Sequence, residues 1–351
     1  MNTTANGLAL FVGEWCRHVG KDDTSESAKK IPLDTMLDSI AAARFRPPDG
    51  GEVRFDGIDY FPTDEEFPDD DIERGCERVA EMVTSRGLQI GSIVPFVWQG
   101  SAGGDQEARE RYFSAVKRGV AIAKQFRKLQ VRTGGVIRLD SATSVDAWRS
   151  GGPEKMSTLI AESMKLAVQH AAAEGENCSA EIECCWGGMH TVQKAIELFT
   201  RIDEPTFGLM LDMAHICQAV LGTNEPTDGF LPQQWEWNRQ EFDAAVYEAA
   251  QQVGPYVNCF HVAQTTLETF GSGSHERTGR HALPDDPNGK LEIPLHASLM
   301  SAHIPRGLAG LKQATWDSCM IDSTTLREQR TWDRILQSMC EVRQRTCASC
   351  P

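Results

Sequence analysis

Short apolar runs recur eight times along the chain, and a segment with helical periodicity follows nearly every one of them. The runs cover residues 8–12, 53–60, 88–94, 136–139, 180–185, 208–211, 256–262 and 314–320. Between them, apolar residues return at steps of three and four: Ile72, Cys76, Val79 and Val83; Phe113, Val116, Val120 and Ala123; Met156, Leu159, Ile160 and Ala167 after Pro153. The same spacing joins Val192, Ile196 and Phe199, then Phe242, Ala245, Val246 and Ala249, then Trp332, Ile335, Leu336 and Met339. Strand and helix in alternation predict a parallel sheet covered by helices. Eight such units in 351 residues predict an α/β fold with a single (β/α)8 TIM barrel domain over residues 1–351. An open doubly wound sheet would carry a glycine-rich phosphate loop after its first strand, and the sequence GEWCRHVG at residues 13–20 is not one.

The net charge is −15, from 35 basic and 50 acidic residues. Such a surface repels nucleic acid and anionic membrane, so the expected partner is a small molecule. A homo-oligomer is compatible with the sequence. No run reaches the length of a membrane span, and no basic residue precedes the first apolar run, so the N-terminus does not read as a secretory signal. Several of the 11 cysteines sit inside apolar runs, among them Cys184, Cys185, Cys217, Cys259 and Cys319. They read as reduced, buried thiols of a cytoplasmic protein. Cys347 and Cys350 form a lone CxxC in a stretch, 346–351, that reads as a flexible tail.

The runs at positions five to eight finish in Glu183, Asp212, His261 and Asp317. Each residue has an ordinary structural use. Glu183 can pair with Arg138, Asp212 can cap the following helix, His261 can be a hydrogen-bonded core histidine, and Asp317 can cap a turn. At the C-terminal ends of four consecutive barrel strands, however, they converge on the mouth where this architecture carries its active sites. Three carboxylates brought together around an imidazole repel one another unless a cation joins them. Their oxygen-rich set suits Mn²⁺, Mg²⁺ or Co²⁺, with Zn²⁺ also admissible.

These residues lie in the motifs IEC (182–184), GLMLDMAH (208–215), FHVAQ (260–264) and WDSCM (316–320), and with them the chain resembles the xylose isomerase-like TIM barrels, which include sugar phosphate isomerases/epimerases and ketose 3-epimerases. The resemblance spans nearly the whole chain. It implies that Glu183, Asp212, His261 and Asp317 hold one divalent metal and that His215 contacts the substrate. It further implies an isomerase or epimerase of a sugar-like hydroxy-ketone in carbohydrate metabolism. Glu183 would remove the proton beside the carbonyl and Asp317 would return one. Trp15, Arg138, Trp186 and His281 complete the expected substrate-binding set, with Trp98 a further candidate for an apolar wall.

Two features depart from the family pattern. Asp317 stands where Glu is usual, and the loop at 265–290 is long, with His275, Arg277, Arg280, His281 and Lys290 among glycines and prolines. A loop of this length and composition is expected to be a lid. The alternatives are a metal-dependent lyase or dehydratase on the same scaffold, of the 3-dehydroshikimate dehydratase or keto-glycoside-cleaving kind, and a degenerate barrel without catalysis. An apurinic-site endonuclease would need a multi-zinc centre and a basic surface, and the acidic balance argues against it.

Overall fold

The computed structural model describes residues 7–18, 30–48, 50–68, 71–270 and 278–347. Its strands are β1 (Ala9–Gly13), β2 (Gly57–Tyr60), β3 (Gln89–Ile93), β4 (Ile137–Arg138), β5 (Cys178–Glu181), β6 (Phe207–Asp212), β7 (Val257–Val262), β8 (Gln264–Phe270), β9 (Thr278–Ala282) and β10 (Gln313–Trp316). All but β8 and β9 close into one parallel barrel in chain order, with β10 between β7 and β1. Helices alternate with the barrel strands, so the chain is the (β/α)8 barrel that the alternation predicts. No helix among the described residues is long and apolar enough to cross a membrane.

Local chemistry sets the helix ends. The carboxylates of Asp71 and Asp105 accept the backbone N–H of Arg74 and Ala108, and the Thr191 hydroxyl accepts that of Lys194. The helix Ile72–Thr84 buries Cys76, Val79 and Val83 as its spacing requires. The helix Met213–Leu221 stops at Gly222, whose φ of +66° closes the turn.

Several boundaries differ from the sequence reading. Only the second half of 53–60 joins the barrel. Val53 bridges Phe45, and the Asp56 carboxylate accepts the Leu10 N–H. The fifth strand lies earlier than 180–185, ending at Glu181, after which the chain leaves the ladder and Gly187 donates to the Thr143 carbonyl. The long 265–290 stretch contributes to an antiparallel hairpin, β8 paired with β9, and its base is tied down where Lys290 donates to the Thr265 carbonyl at 2.8 Å. His275 and Arg277 lie outside the described residues. Two helices that the pattern did not signal, Ile293–Ser301 and Gly307–Leu311, fill the chain between hairpin and β10. The last helix, Gln329–Cys347, runs into the expected tail, and 348–351 with Cys350 lie outside the described residues.

Candidate metal centre at the barrel mouth

Side chains alternate across a strand, so inward positions recur every second residue. In β6 and β7 the register sets Asp212 beside His261, and in β10 it sets Thr315 beside His261, with Asp317 two residues further on. Here Asp212, His261 and Asp317 meet, all buried, as expected from the strand ends. The acidic side chain that joins them is Glu181, fully buried at the end of β5. One donor atom from each of the four lies within 4.8 Å of the others. His261 Nδ1 is 3.6 Å from Glu181 Oε1, 3.7 Å from Asp317 Oδ2 and 4.0 Å from Asp212 Oδ2. These separations are too long for hydrogen bonds and short enough for the atoms to share one ion.

Glu183, expected in this foursome, stands one inward position further along. It groups instead with Glu181 and His215, whose Nε2 is 3.7 Å away. Its carboxylate accepts from Trp186 Nε1 at 2.7 Å and from the Thr278 hydroxyl of the hairpin at 3.0 Å. Arg138 reaches it at 3.4 Å, while also contacting Glu181 and pairing with Asp140 at 3.0 Å. Trp186, expected as part of a substrate wall, is buried behind Glu183 and does not line the cavity. Trp15, Trp98, Arg138, His215 and His281 do line it.

Trp15 is fitted closely to the cluster. Its Nε1 donates to Asp317 Oδ1 at 3.2 Å, and its ring stacks on His261 with centroids 5.5 Å apart. The turn that carries it is fastened by Arg17, fully buried between Glu14 at 2.6 Å and Glu66 at 2.9 Å. His281 enters from β9 and sits between Asp317 Oδ1 at 3.3 Å and Asp212 Oδ1 at 3.5 Å. The cavity left among these groups measures about 10 Å³, room for a single water.

Burial and charge pull these groups apart electrostatically. Burial drives Glu181 well above the ordinary carboxylate range against the opposing Arg138. Burial would raise Asp317 too, but the His281 and His261 rings hold it well below that range. Burial likewise opposes the charged form of His281, and Asp317 and Asp212 overcome it and raise its pKa well above normal. His215 is depressed, chiefly by burial.

The chemistry of the donors fits a divalent cation. Glu181 Oε1, Asp212 Oδ2 and His261 Nδ1, which face one another, are buried without a hydrogen bond. Buried polar atoms are rarely left so, and a cation is the partner that carboxylate oxygens and a neutral imidazole nitrogen have in common.

A family model described as xylose isomerase-like TIM barrel matches residues 52–300, more than half of the chain. The chain belongs to this family. No curated protein sequence matches it. Among solved structures, D-psicose 3-epimerase from Clostridium cellulolyticum H10, crystallised with D-tagatose, aligns with a TM-score of 0.55 at 11% identity, over 96% of this chain and 98% of that one. A xylose isomerase-like TIM barrel protein from Mycobacterium smegmatis in complex with magnesium gives 0.54 at 12% identity, over 95% and 97%. A probable 3-DHS dehydratase involved in petrobactin synthesis in Bacillus anthracis gives 0.55 at 11% identity, over 95% and 98%. At such identities the likeness is one of fold: an epimerase and a probable dehydratase share this barrel architecture.

Proposed function

We propose that the protein is a divalent-metal-dependent isomerase or epimerase of a sugar-like hydroxy-ketone. The observation that carries the reading is the set of buried, unsatisfied donor atoms on Glu181, Asp212 and His261, closed by Asp317, at the C-terminal mouth of the barrel. In this proposal these four residues hold the ion, and Glu181 takes the place that the sequence assigned to Glu183. A bound Mn²⁺, Mg²⁺ or Co²⁺ supplies Lewis-acid stabilisation of negative charge developing on neighbouring substrate oxygens. The sugar epimerase and the magnesium-bound barrel of the same fold support this class of reaction and cofactor.

Glu183 is then released from ligation to act as the base that takes the proton beside the carbonyl. Trp186 and Thr278 donate to its two oxygens, which holds the carboxylate in one orientation. Asp317 stands three barrel positions away from β5 and is the partner for returning a proton to the opposite face. His215, Arg138, Trp15 and Trp98 line the cavity, and in this reading His215 holds a substrate hydroxyl, Arg138 binds a substrate oxygen, and the two indoles cover an apolar C–H face. The hairpin acts as the lid. A cavity of about 10 Å³ cannot admit a sugar, so β8 and β9, with Thr278 and His281, must lift to let substrate in.

The test is turnover of a ketose panel in D₂O by metal-loaded protein. Deuterium entering the carbon beside the carbonyl, abolished in Glu183→Gln, is the expected result. Protein that takes up no divalent metal would refute the reading. The dehydratase of the same fold keeps a lyase as the second reading, since the same base and metal serve both. Elimination products in place of an epimer would select it.

A further inference from the structure

We infer that Asp59 is a positioning residue for this centre: it orients His261 so that Nδ1, and not Nε2, is the nitrogen offered to the cation. The inference rests on the metal reading above and adds to it a residue from the opposite side of the barrel. His261 is fully buried, and its two nitrogens face different surroundings. Nδ1 looks toward Glu181, Asp317 and Asp212 at 3.6 to 4.0 Å, whereas Nε2 looks toward Asp59 Oδ2 at 3.9 Å. A ligating imidazole is neutral and has one N–H, which must lie on the nitrogen away from the ion. That proton needs an acceptor, and Asp59 is the carboxylate facing it. A ring displacement of about 1 Å brings the pair to hydrogen-bond distance.

Asp59 is itself held in place. It is fully buried on β2. Its Oδ1 accepts from the Ser92 N–H at 2.6 Å and from Gln313 Nε2 at 2.6 Å, and its Oδ2 accepts from the Thr315 hydroxyl at 2.7 Å. Gly91 provides the room: a Cβ at that position would overlap the Asp59 carboxylate and the Gln313 amide. A carboxylate locked by three donors, in a space kept open by a glycine, behind an imidazole whose other face meets three carboxylates, is the arrangement in which a bound cation would complete a carboxylate–histidine–metal relay. Such partners fix the ring tautomer and raise ligand basicity, and their loss typically weakens metal binding by about 10- to 100-fold.

Two measurements test this. Co²⁺ titration of Asp59→Asn, followed by visible absorption and calorimetry, is expected to show binding weakened by about 10-fold or more, with altered d–d bands. A residue that only supported the fold would lower the unfolding midpoint of the metal-free protein and leave the Co²⁺ affinity and spectrum at wild-type values, and that result would overturn the inference. The second measurement needs no change at Asp59. In Zn²⁺-loaded wild-type protein with ¹⁵N-labelled histidine, assigned by comparison with His261→Gln, the His261 ring is expected to bind metal through Nδ1 and carry its proton on Nε2. Metal on Nε2 would overturn the inference even where Asp59→Asn fails to fold. Wild-type protein that binds neither Co²⁺ nor Zn²⁺ would overturn the metal reading and this inference with it, whereas equal binding by wild type and Asp59→Asn would remove the inference alone.

Discussion

His190 sits in the loop that follows Glu183 and Trp186, and it links the stability of that loop to pH. The ring is buried, edge-on to Trp148 at 5.0 Å, with neither nitrogen hydrogen-bonded and Glu225 no closer than 3.8 Å. Burial, reinforced by the charge of Lys194, lowers its pKa from 6.5 to about 4. The sign follows from the proton count. As pH falls below about 6.5, the unfolded chain protonates this histidine while the folded one does not, so acid favours unfolding until about pH 4. At 1.36 kcal/mol per pKa unit the full window is worth about 3 kcal/mol, of which about 2 kcal/mol falls between pH 7 and pH 5. Urea unfolding of wild type and His190→Gln at those two pH values isolates the contribution. Packing changes in the variant shift both of its points equally, whereas the acid-dependent loss of about 2 kcal/mol belongs to wild type only. Parallel pH dependence in the two proteins, or a directly titrated His190 pKa near 6.5, would refute the reasoning.

Glu181→Gln should cost most of the Co²⁺ affinity, because it removes an anionic donor. Glu183→Gln should retain Co²⁺ and lose on the order of 10²–10⁴-fold in turnover, so calorimetry and kinetics on the two variants distinguish ligand from base. Trp15→Phe preserves the stack on His261 but removes the N–H that reaches Asp317, and it should lower the unfolding free energy by about 1.5–3 kcal/mol, read from urea midpoints. Limited proteolysis should cut first within 265–290 and be slowed by a bound ketose, while equal cleavage with and without ligand would mean the hairpin does not gate the site.

The barrel was legible because its signals are redundant. Each apolar run and each helical stripe independently reports one layer of an α/β architecture, and a displaced boundary such as that at 53–60 leaves the order intact. The positions of Asp212, His261 and Asp317 were legible for the same reason, each following a run that has to be a strand. Glu181 was not, although the signal was present. The sequence AEIEC places two carboxylates two residues apart, and a period of two directs both inward. Choosing between them requires knowing where the strand stops, which depends on where the next loop is tied, here by Gly187 on Thr143. The pairing of β8 with β9 was hidden by the glycines and prolines scattered through 265–290, which read as loop. Asp59 was hidden inside VRFDGIDY, where a charged residue within a strand looks like a solvent-facing position until the barrel closes around it.

In the proposed metal reading, the ordinary and the functional uses of these carboxylates fall on different oxygens. Asp212 does cap its helix: Oδ1 accepts the N–H of Ala214 at 2.7 Å and of His215 at 3.0 Å. Its Oδ2 takes no hydrogen bond and faces His261. Asp317 is divided in the same way. Oδ1 accepts the Cys319 N–H at 2.7 Å and the Trp15 N–H, while Oδ2 turns to His261. One oxygen anchors each carboxylate to backbone or indole, and the anchored oxygen aims the other. A capping residue at a strand end is thus not an alternative to a ligand. The cap removes the torsional freedom that a bare aspartate would have to lose on binding a cation, so these side chains are oriented before any ligand arrives. It follows that Asp212→Asn, which keeps an Oδ1 acceptor for the two N–H groups but replaces the Oδ2 charge with an amide, should unfold at nearly the wild-type urea concentration while losing Co²⁺ binding. If instead stability and metal binding fall together, the two oxygens are not separable and the division of labour argued here is wrong.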